Sequence, residues 1–235
     1  MIDGRGTVTV ALVSNTFKIT TEAGLGAGEI ALGHAEALGT PAAAETVLVA
    51  RCLRGDDFAF SRLVALHEGM VVNLSLRLLG DREEARDLAQ DVFLQVYKTL
   101  GRFEGRSSLK TWIYRITVNQ CRNRQRWWRR RKRDRARSIE DLSQSDSQKL
   151  RAPGDSEPSV VFERREAARR VQEALLSLSF DHRSVLVLRE VEELSCEEIA
   201  HALGLPEGTV KSRLARGREG LKRALCAARS DRGTV

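Results

Sequence analysis

Residues 81–100 read DREEARDLAQDVFLQVYKTL, and this stretch indicates the fold class. Its apolar residues recur at the i, i+3, i+4, i+7 spacing of one helix face. Asp81 can act as the N-cap, and Glu84 follows three residues later, close to a capping box. The stretch therefore predicts an amphipathic helix that ends at Gly101. Its apolar positions are Ala85, Leu88, Ala89, Val92, Phe93, Val96 and Leu100.

Similar helical patterns lie on both sides of this stretch. One helix is predicted from Ala44 to Gly55, and a second runs from about Asp56 to Gly80. A further helix follows the loop RFEGRSS and continues into the run NRQRWWRRRKR at residues 123–133. Basic runs of this kind are solvated surfaces or contacts for phosphate. Together these helices predict a first bundle at residues 45–133.

The rest of the chain divides into a linker, a second bundle and two terminal segments. Residues 134–161 are mainly polar and lack a helical period, which is typical of a flexible linker. Helical periodicity then predicts a second bundle at 162–227, followed by a tail at 228–235. Residues 1–44 are interpreted as a flexible extension, because TVTVALV at 7–13 could form a strand but has no evident partner. The predicted architecture is all-α, with two helical bundles joined by the linker.

Composition narrows the class of function. The net charge of +7 favours an acidic partner, of which nucleic acid is the commonest. The cysteines and histidines are scattered without a CxxC pair, so we expect no metal and no other cofactor. No paired carboxylates, nucleophile motif or phosphate loop is evident, so we expect no catalytic residues and no enzyme. Without an apolar run of membrane-spanning length or a signal peptide, the sequence predicts a soluble cytoplasmic protein with no direct membrane insertion.

A helix-turn-helix pattern lies in the segment LSCEEIAHALGLPEGTVKSRLARGREGLKRAL, residues 194–225. Ser195 can cap a short helix, Gly204 permits a tight turn, and Pro206 precedes a second helix that starts near Gly208. In this motif the second helix enters the DNA major groove. An ordinary helical hairpin with a solvated basic face also fits the pattern. The candidate DNA contacts on the second helix are Thr209, Lys211, Ser212, Arg213 and Arg216.

The chain resembles a bacterial RNA polymerase sigma factor of the extracytoplasmic function (ECF) type, within the sigma-70 family. Residues 87–124, DLAQDVFLQVYKTLGRFEGRSSLKTWIYRITVNQCRNR, are similar to the family's second conserved region. Residues 176–221, LSLSFDHRSVLVLREVEELSCEEIAHALGLPEGTVKSRLARGREGL, are similar to its fourth. The resemblance covers residues 45–227. The linker lacks the long helical region of larger housekeeping sigma factors, which favours the ECF class.

The resemblance implies a function and assigns roles to particular residues. A sigma factor binds core RNA polymerase, through the β′ coiled coil and the β subunit, and directs initiation at promoter DNA by recognising −10 and −35 elements. The implied polymerase-binding residues are Asp87, Gln90, Asp91 and Gln95. The residues implied for −10 recognition and strand separation are Phe103, Arg106, Ser107, Asn119, Arg122 and Arg126. The resemblance assigns the candidate DNA contacts of the helix-turn-helix to the −35 element.

Several alternatives stay open at this stage. The chain could be a helix-turn-helix transcriptional regulator that does not bind core polymerase. Trp127 and Trp128 could stack on DNA or cover the helix end against the bundle. We expect control by a separate anti-sigma factor inserted between the two bundles, the alternative being inhibition by residues 1–44.

Overall fold

The computed structural model describes residues 7–12, 15–20, 41–138 and 159–230, with side chains for 44–131 and 165–227. A short 3-10 helix, Leu100–Arg102, lies between the third and fourth helices. The described helices are α1 (Pro41–Leu53), α2 (Asp57–Leu79), α3 (Arg82–Thr99), α4 (Leu109–Ser138), α5 (Ser159–Ser177), α6 (Phe180–Glu190), α7 (Cys196–Leu203) and α8 (Glu207–Ser230). We call α1–α4 the N-terminal bundle and α5–α8 the C-terminal bundle. The predicted helical class is thus confirmed.

Helix starts and stops agree with the local signals in the sequence. Asp81 Oδ1 accepts a hydrogen bond of 3.0 Å from Glu84 N at the start of α3. Ser195 caps α7 and forms a full capping box with Glu198. Gly80 ends α2 in the left-handed region, with φ of 82°. These features depend on residues within one helical turn, which is why the sequence could predict them.

The N-terminal bundle packs α2, α3 and α4 around an apolar core, and α1 lies across its end. Val71, Leu74 and Leu78 of α2 are fully buried, and they pack in one cluster with Val92 of α3 and Ile113 of α4. Glu45 Oε1 of α1 accepts a hydrogen bond of 2.8 Å from Leu109 N, the first residue of α4. A carboxylate at this position stabilises the positive end of the helix dipole.

The C-terminal bundle is built around α6. Residues 183–188 are all buried, and α5, α7 and α8 pack around them. Gly204 takes a left-handed conformation, with φ of 63°, and turns the chain from α7 into α8. Val210 and Leu214 form the buried side of α8. This arrangement of α7 and α8 is the predicted helix-turn-helix.

The two bundles pack directly against each other. The C-terminal end of α2 contacts α5 and α6, while α4 contacts α7. One continuous cluster of buried apolar side chains includes Leu78 of the N-terminal bundle and Leu175 and Phe180 of the C-terminal bundle. The sequence predicted a tether between the bundles but gave no indication of this contact.

Two boundaries and one strand differ from the sequence-based expectation. Helix α4 continues to Ser138, beyond the predicted start of the linker at residue 134. Helix α5 begins at Ser159, before the predicted end of the linker at residue 161. In the N-terminal extension, β1 (Thr7–Leu12) pairs antiparallel with β2 (Asn15–Thr20), so the expectation of a strand without a partner was wrong. The rest of the predicted linker, residues 139–158, lies outside the described residues.

Candidate functional site

The outer face of α3 carries the side chains predicted to bind the polymerase. Asp87 is exposed, whereas Gln90 and Gln95 are half-buried. Asp91 Oδ2 lies 3.0 Å from the guanidinium of Arg124 on α4. Asp87 has no ion pair among the residues whose side chains are described. The structure therefore brings the four predicted residues onto one side of α3, where both carboxylates are exposed and Asp91 is paired with Arg124.

Arg124 belongs to the basic run at residues 123–133, for which the sequence predicted a solvated surface or contacts with phosphate, but its side chain is instead held by ion pairs. Its guanidinium is bound by Glu84 at 2.8 Å as well as by Asp91 at 3.0 Å. Both acidic partners belong to α3, so Arg124 joins α3 to α4. Periodicity indicates only that a residue lies off the apolar stripe, and it does not reveal such a partner.

The loop before α4 brings together three residues predicted to contact the −10 element. Phe103 is half-buried, and its ring centroid lies 5.4 Å from that of Trp112. Arg106 is exposed and forms an ion pair with Glu104. The half-buried Ser107 donates a weak hydrogen bond of 3.4 Å to the carbonyl of Ser108. An aromatic pair beside an exposed arginine is a suitable surface for an unstacked base and its phosphate.

The outer side of α4 is a basic ridge. We define this ridge by Asn119, Arg126, Arg129, Arg130 and Arg131, which are all exposed. Arg122, which the sequence predicted to lie with them, is instead half-buried and forms an ion pair of 3.2 Å with Asp181 of α6. The same guanidinium lies 5.5 Å from the ring centroid of Phe180.

The two adjacent tryptophans of α4 have different environments. Trp127 is 44% exposed, and the guanidinium of Arg131 lies 4.5 Å from its ring centroid. Trp128 packs against the buried apolar cluster. Trp127 is therefore the one with an accessible ring face near the basic ridge, while Trp128 covers the bundle.

Helix α8 separates the predicted −35 residues into two groups. Lys211, Ser212 and Arg216 are exposed on its outer face. Lys211 pairs with Glu207 at 2.7 Å, and this hydrogen bond raises the pKa of the lysine. Thr209 is half-buried, and its carbonyl accepts a hydrogen bond of 3.0 Å from Ser212 Oγ.

Arg213 belongs to the second group and lies toward α6. Its guanidinium forms an ion pair of 3.3 Å with Asp181, the carboxylate that also binds Arg122. One carboxylate thus holds a residue predicted to contact the −10 element and a residue predicted to contact the −35 element.

Comparison with known proteins decides the family. Residues 63–135 match the family model of Sigma-70 region 2, and residues 168–221 match that of Sigma-70, region 4. The RNA polymerase sigma-H factor of Pseudomonas aeruginosa is 37% identical over 178 residues, which cover 76% of this chain and 92% of the relative. The ECF RNA polymerase sigma factor SigW of Bacillus subtilis is 34% identical, over 73% of this chain and 91% of its own length. The chain belongs to the sigma-70 family as an ECF sigma factor.

Similar solved structures agree with this family membership. CnrH, solved in complex with the cytosolic domain of CnrY, is 26% identical to this chain. The match covers 78% of this chain and 97% of the CnrH chain, with a TM-score of 0.55. The sigma factor RpoE of Bartonella quintana, in complex with the anti-sigma factor NepR, is 25% identical. It covers 71% of this chain and 96% of its own, with a TM-score of 0.53. As a member of this family, the chain is a sigma factor that directs transcription.

Two residues of the sigma factor that sequence reasoning missed are Asp181 and Arg183 on α6. Arg183 is 3% exposed and donates hydrogen bonds to the carbonyls of Leu78, Leu176 and Leu178. Burial, together with the charge of Arg129, lowers its pKa to about 10, so it stays protonated at neutral pH. The available signal was helical spacing, because Arg183 lies three residues after Phe180 and three residues before Leu186, on the apolar side of α6.

Within residues 44–131 and 165–227, no three His, Cys, Asp or Glu side chains are close enough to hold a metal ion. The described helices of the sigma factor include none that is long and apolar enough to cross a membrane.

Proposed function

We propose that this sigma factor binds core RNA polymerase and positions it at promoters by contacting DNA through one surface on each bundle. The observation that carries the proposal is the pair of exposed basic surfaces, one on α4 and one on α8. Each belongs to a part of the chain that matches a sigma-70 region. We assign the two domains to residues 45–133 and 162–227.

The −10 surface consists of the loop before α4 together with the basic ridge. Single-stranded DNA is bound by aromatic faces that stack on bases and by cations that follow the phosphates. Phe103, Ser107 and Asn119 would line the site of an unstacked base. Arg106 and Arg126 are exposed and would bind phosphate, with Arg122 joining them once it leaves Asp181.

The −35 surface is the first half of α8. In helix-turn-helix proteins the N-terminal residues of the second helix contact base edges. Arg216 can bind guanine with two hydrogen bonds, and Lys211 and Ser212 lie on the same face. Thr209 lies half-buried behind this face, and Arg213 is held by Asp181. We propose that Arg213 turns to the DNA when that ion pair breaks.

The polymerase surface is the outer face of α3, with Asp87, Gln90, Asp91 and Gln95. We propose that it binds the β′ coiled coil, and that the C-terminal bundle contacts the β subunit. An acidic surface that binds a complementary partner gains both association rate and specificity. Transcription takes place in the cytoplasm, and we propose that location for this chain.

An anti-sigma factor is a further proposed partner. Bartonella RpoE was solved in complex with the anti-sigma factor NepR, and its sequence is 25% identical to that of this chain. The two bundles contact each other directly here, so an inhibitor inserted between them would first have to separate them.

Reconstitution with core polymerase tests the proposal. Purified protein and core enzyme are combined on fragments of the source genome, and the 5′ ends of the transcripts are sequenced. We expect initiation that depends on the protein and transcripts that share two upstream sequence elements. If the protein binds DNA but neither co-elutes with core polymerase nor changes its start sites, the sigma-factor assignment is wrong.

A further inference from the structure

Helix α1 contacts the chain at both ends of the loop before α4, which we call the −10 loop (residues 103–108). At the start, the 3-10 helix that leads into the loop packs against α1. Leu53 Cδ2 of α1 lies 4.0 Å from the position that a Cβ atom would take at Gly101. At the end, Glu45 Oε1 of α1 accepts a hydrogen bond of 2.8 Å from Leu109 N. One helix, remote in the chain, therefore holds the loop at two points.

The end of the −10 loop depends on this outside contact. The first backbone N–H groups of a helix have no partner within the helix itself. Ser108 Oγ accepts a hydrogen bond of 3.1 Å from Thr111 N and so acts as the local cap. A capping side chain reaches the second or third N–H of its helix, but not the first, which here belongs to Leu109. Glu45 supplies the missing acceptor, and its negative charge suits the positive end of the helix dipole.

The carboxylate of Glu45 lies where three helices of the N-terminal bundle meet. Its residue is half-buried on α1. Burial lowers the pKa of His67 on α2, an effect that the charge of Glu45 opposes and the charge of Lys110 on α4 reinforces. His67 therefore stays uncharged at neutral pH and does not compete with the backbone of α4 for the carboxylate.

The exposed residues of the −10 loop bind mainly within the loop. Arg106 forms its ion pair with Glu104, and Ser107 donates to the carbonyl of the residue that follows it. Such local contacts move together with the loop. The position of the loop on the protein is therefore set by its two ends and by the packing of Phe103 against Trp112.

We propose that Glu45 is a positioning residue for promoter recognition, which fixes the −10 loop from α1 in the orientation that contacts an unstacked base. The inference rests on the proposed function, because it assumes that the −10 loop binds DNA. Without Glu45 the first N–H of α4 loses its acceptor, and the first turn of the helix frays. Phe103 and Ser107 then no longer meet the base together. The loss reduces specificity at the −10 element and leaves the polymerase contacts in place.

The test uses substitutions at both ends of the loop in the full chain. Glu45→Ala removes the acceptor, whereas Glu45→Gln keeps an oxygen that can accept the same hydrogen bond. Leu53→Ala shortens the side chain that lies against Gly101. The matched control is Asp81→Ala, which also removes a helix-capping carboxylate of the N-terminal bundle, since Asp81 Oδ1 accepts from Glu84 N at 3.0 Å. Asp81 stands before the start of α3, whereas the loop follows the end of α3.

Two measurements are made on each protein. Hydrogen exchange followed by mass spectrometry reports how often residues 103–112 open in the free chain. Competition binding of the reconstituted holoenzyme, on a promoter found by reconstitution, gives two sequence preferences. One is for the cognate over a scrambled −10 element beside an intact −35 element, and the other is the converse.

We expect a selective effect at the −10 element. Glu45→Ala should speed exchange in residues 103–112 and lower the −10 preference roughly three- to tenfold, the usual cost of a lost helix cap. The −35 preference and the affinity for core polymerase should stay unchanged. Glu45→Gln should recover most of the −10 preference, and Leu53→Ala should lower it by a smaller factor. Asp81→Ala should change neither preference.

The outcomes separate this inference from the proposed function. If the unmodified chain discriminates between −10 elements and Glu45→Ala does so equally well, the positioning role is overturned and the sigma-factor function stays intact. An equal loss of both preferences, or an equal loss in Asp81→Ala, would indicate a general effect of stability and likewise overturn the positioning role. If the unmodified chain shows no −10 preference or does not bind core polymerase, both the proposed function and the positioning role fail.

Discussion

Arg183 illustrates how a charged side chain is accommodated in a helical core. Its partners are backbone carbonyls at the ends of α2 and α5, and no carboxylate is needed. Hydrogen bonds to a charged group contribute more than neutral ones, and a buried acceptor that loses its donor is costly. The residue therefore contributes to stability and to the relative position of the bundles at once.

Replacing this arginine gives a prediction on stability. Arg183→Met should lower the free energy of unfolding by about 2–4 kcal/mol, because three carbonyls lose their donor. Chemical denaturation followed by circular dichroism measures the change. Arg218→Met is the control, since Arg218 is exposed and its pair with Glu190 should be worth less than about 1 kcal/mol. Equal losses in the two variants would show that Arg183 has no special role.

At the scale of single helices, the sequence predicted the interactions between neighbouring residues. It did not predict the ion pairs between residues that are far apart in the chain. The caps at Asp81 and Ser195 lie within three residues of the backbone groups that they bind, so the sequence displayed both halves of each interaction. The helix-turn-helix pattern predicted a DNA contact for Arg213, and the family resemblance implied one for Arg122. Their shared partner, Asp181, is remote in the chain from Arg122, and only the packing of the bundles brings them together.

The outer face of α3 carries a prediction on polymerase binding. Asp87→Lys should weaken the affinity for core polymerase through charge repulsion while leaving the melting temperature unchanged, because Asp87 is exposed. Asp91→Lys should weaken binding as well, with a small loss of stability from its broken pair with Arg124. Titration with core enzyme and thermal melting measure the two effects. A folded Asp87→Lys variant with unchanged affinity would contradict the docking assignment.

Helix α8 carries a prediction on specificity. Arg216→Ala should reduce the preference for the cognate over a scrambled −35 element by about 1–3 kcal/mol and leave polymerase affinity intact. Arg213→Ala should reduce the same preference and also lengthen the distance between the bundles, because it frees Asp181. Lys222→Ala is the control for lost charge, because Lys222 is an exposed residue further along α8. A preference that survives both arginine variants would exclude α8 as the recognition helix.

On the scale of the whole molecule, the sequence did not predict the contact between the two bundles. The acceptors that bind Gln172 and Arg183 are main-chain carbonyls, and every residue has one. No residue type marks them, so neither composition nor periodicity could predict which ends of which helices meet. The family resemblance defined two bundles and their roles, while the structure adds that they can contact each other without a partner.

The N-terminal extension carries a last prediction, on how the sigma factor is controlled. If control comes from a separate anti-sigma factor, as proposed, deletion of residues 1–40 should change neither the initiation rate nor the affinity for core polymerase. The cut must stop before α1 at Pro41, because Glu45 on that helix binds the first backbone N–H of α4. Transcription with purified core polymerase compares the truncated and full chains at equal concentrations. A large gain in the initial rate on truncation would assign the inhibition to residues 1–40 and count against a separate inhibitor.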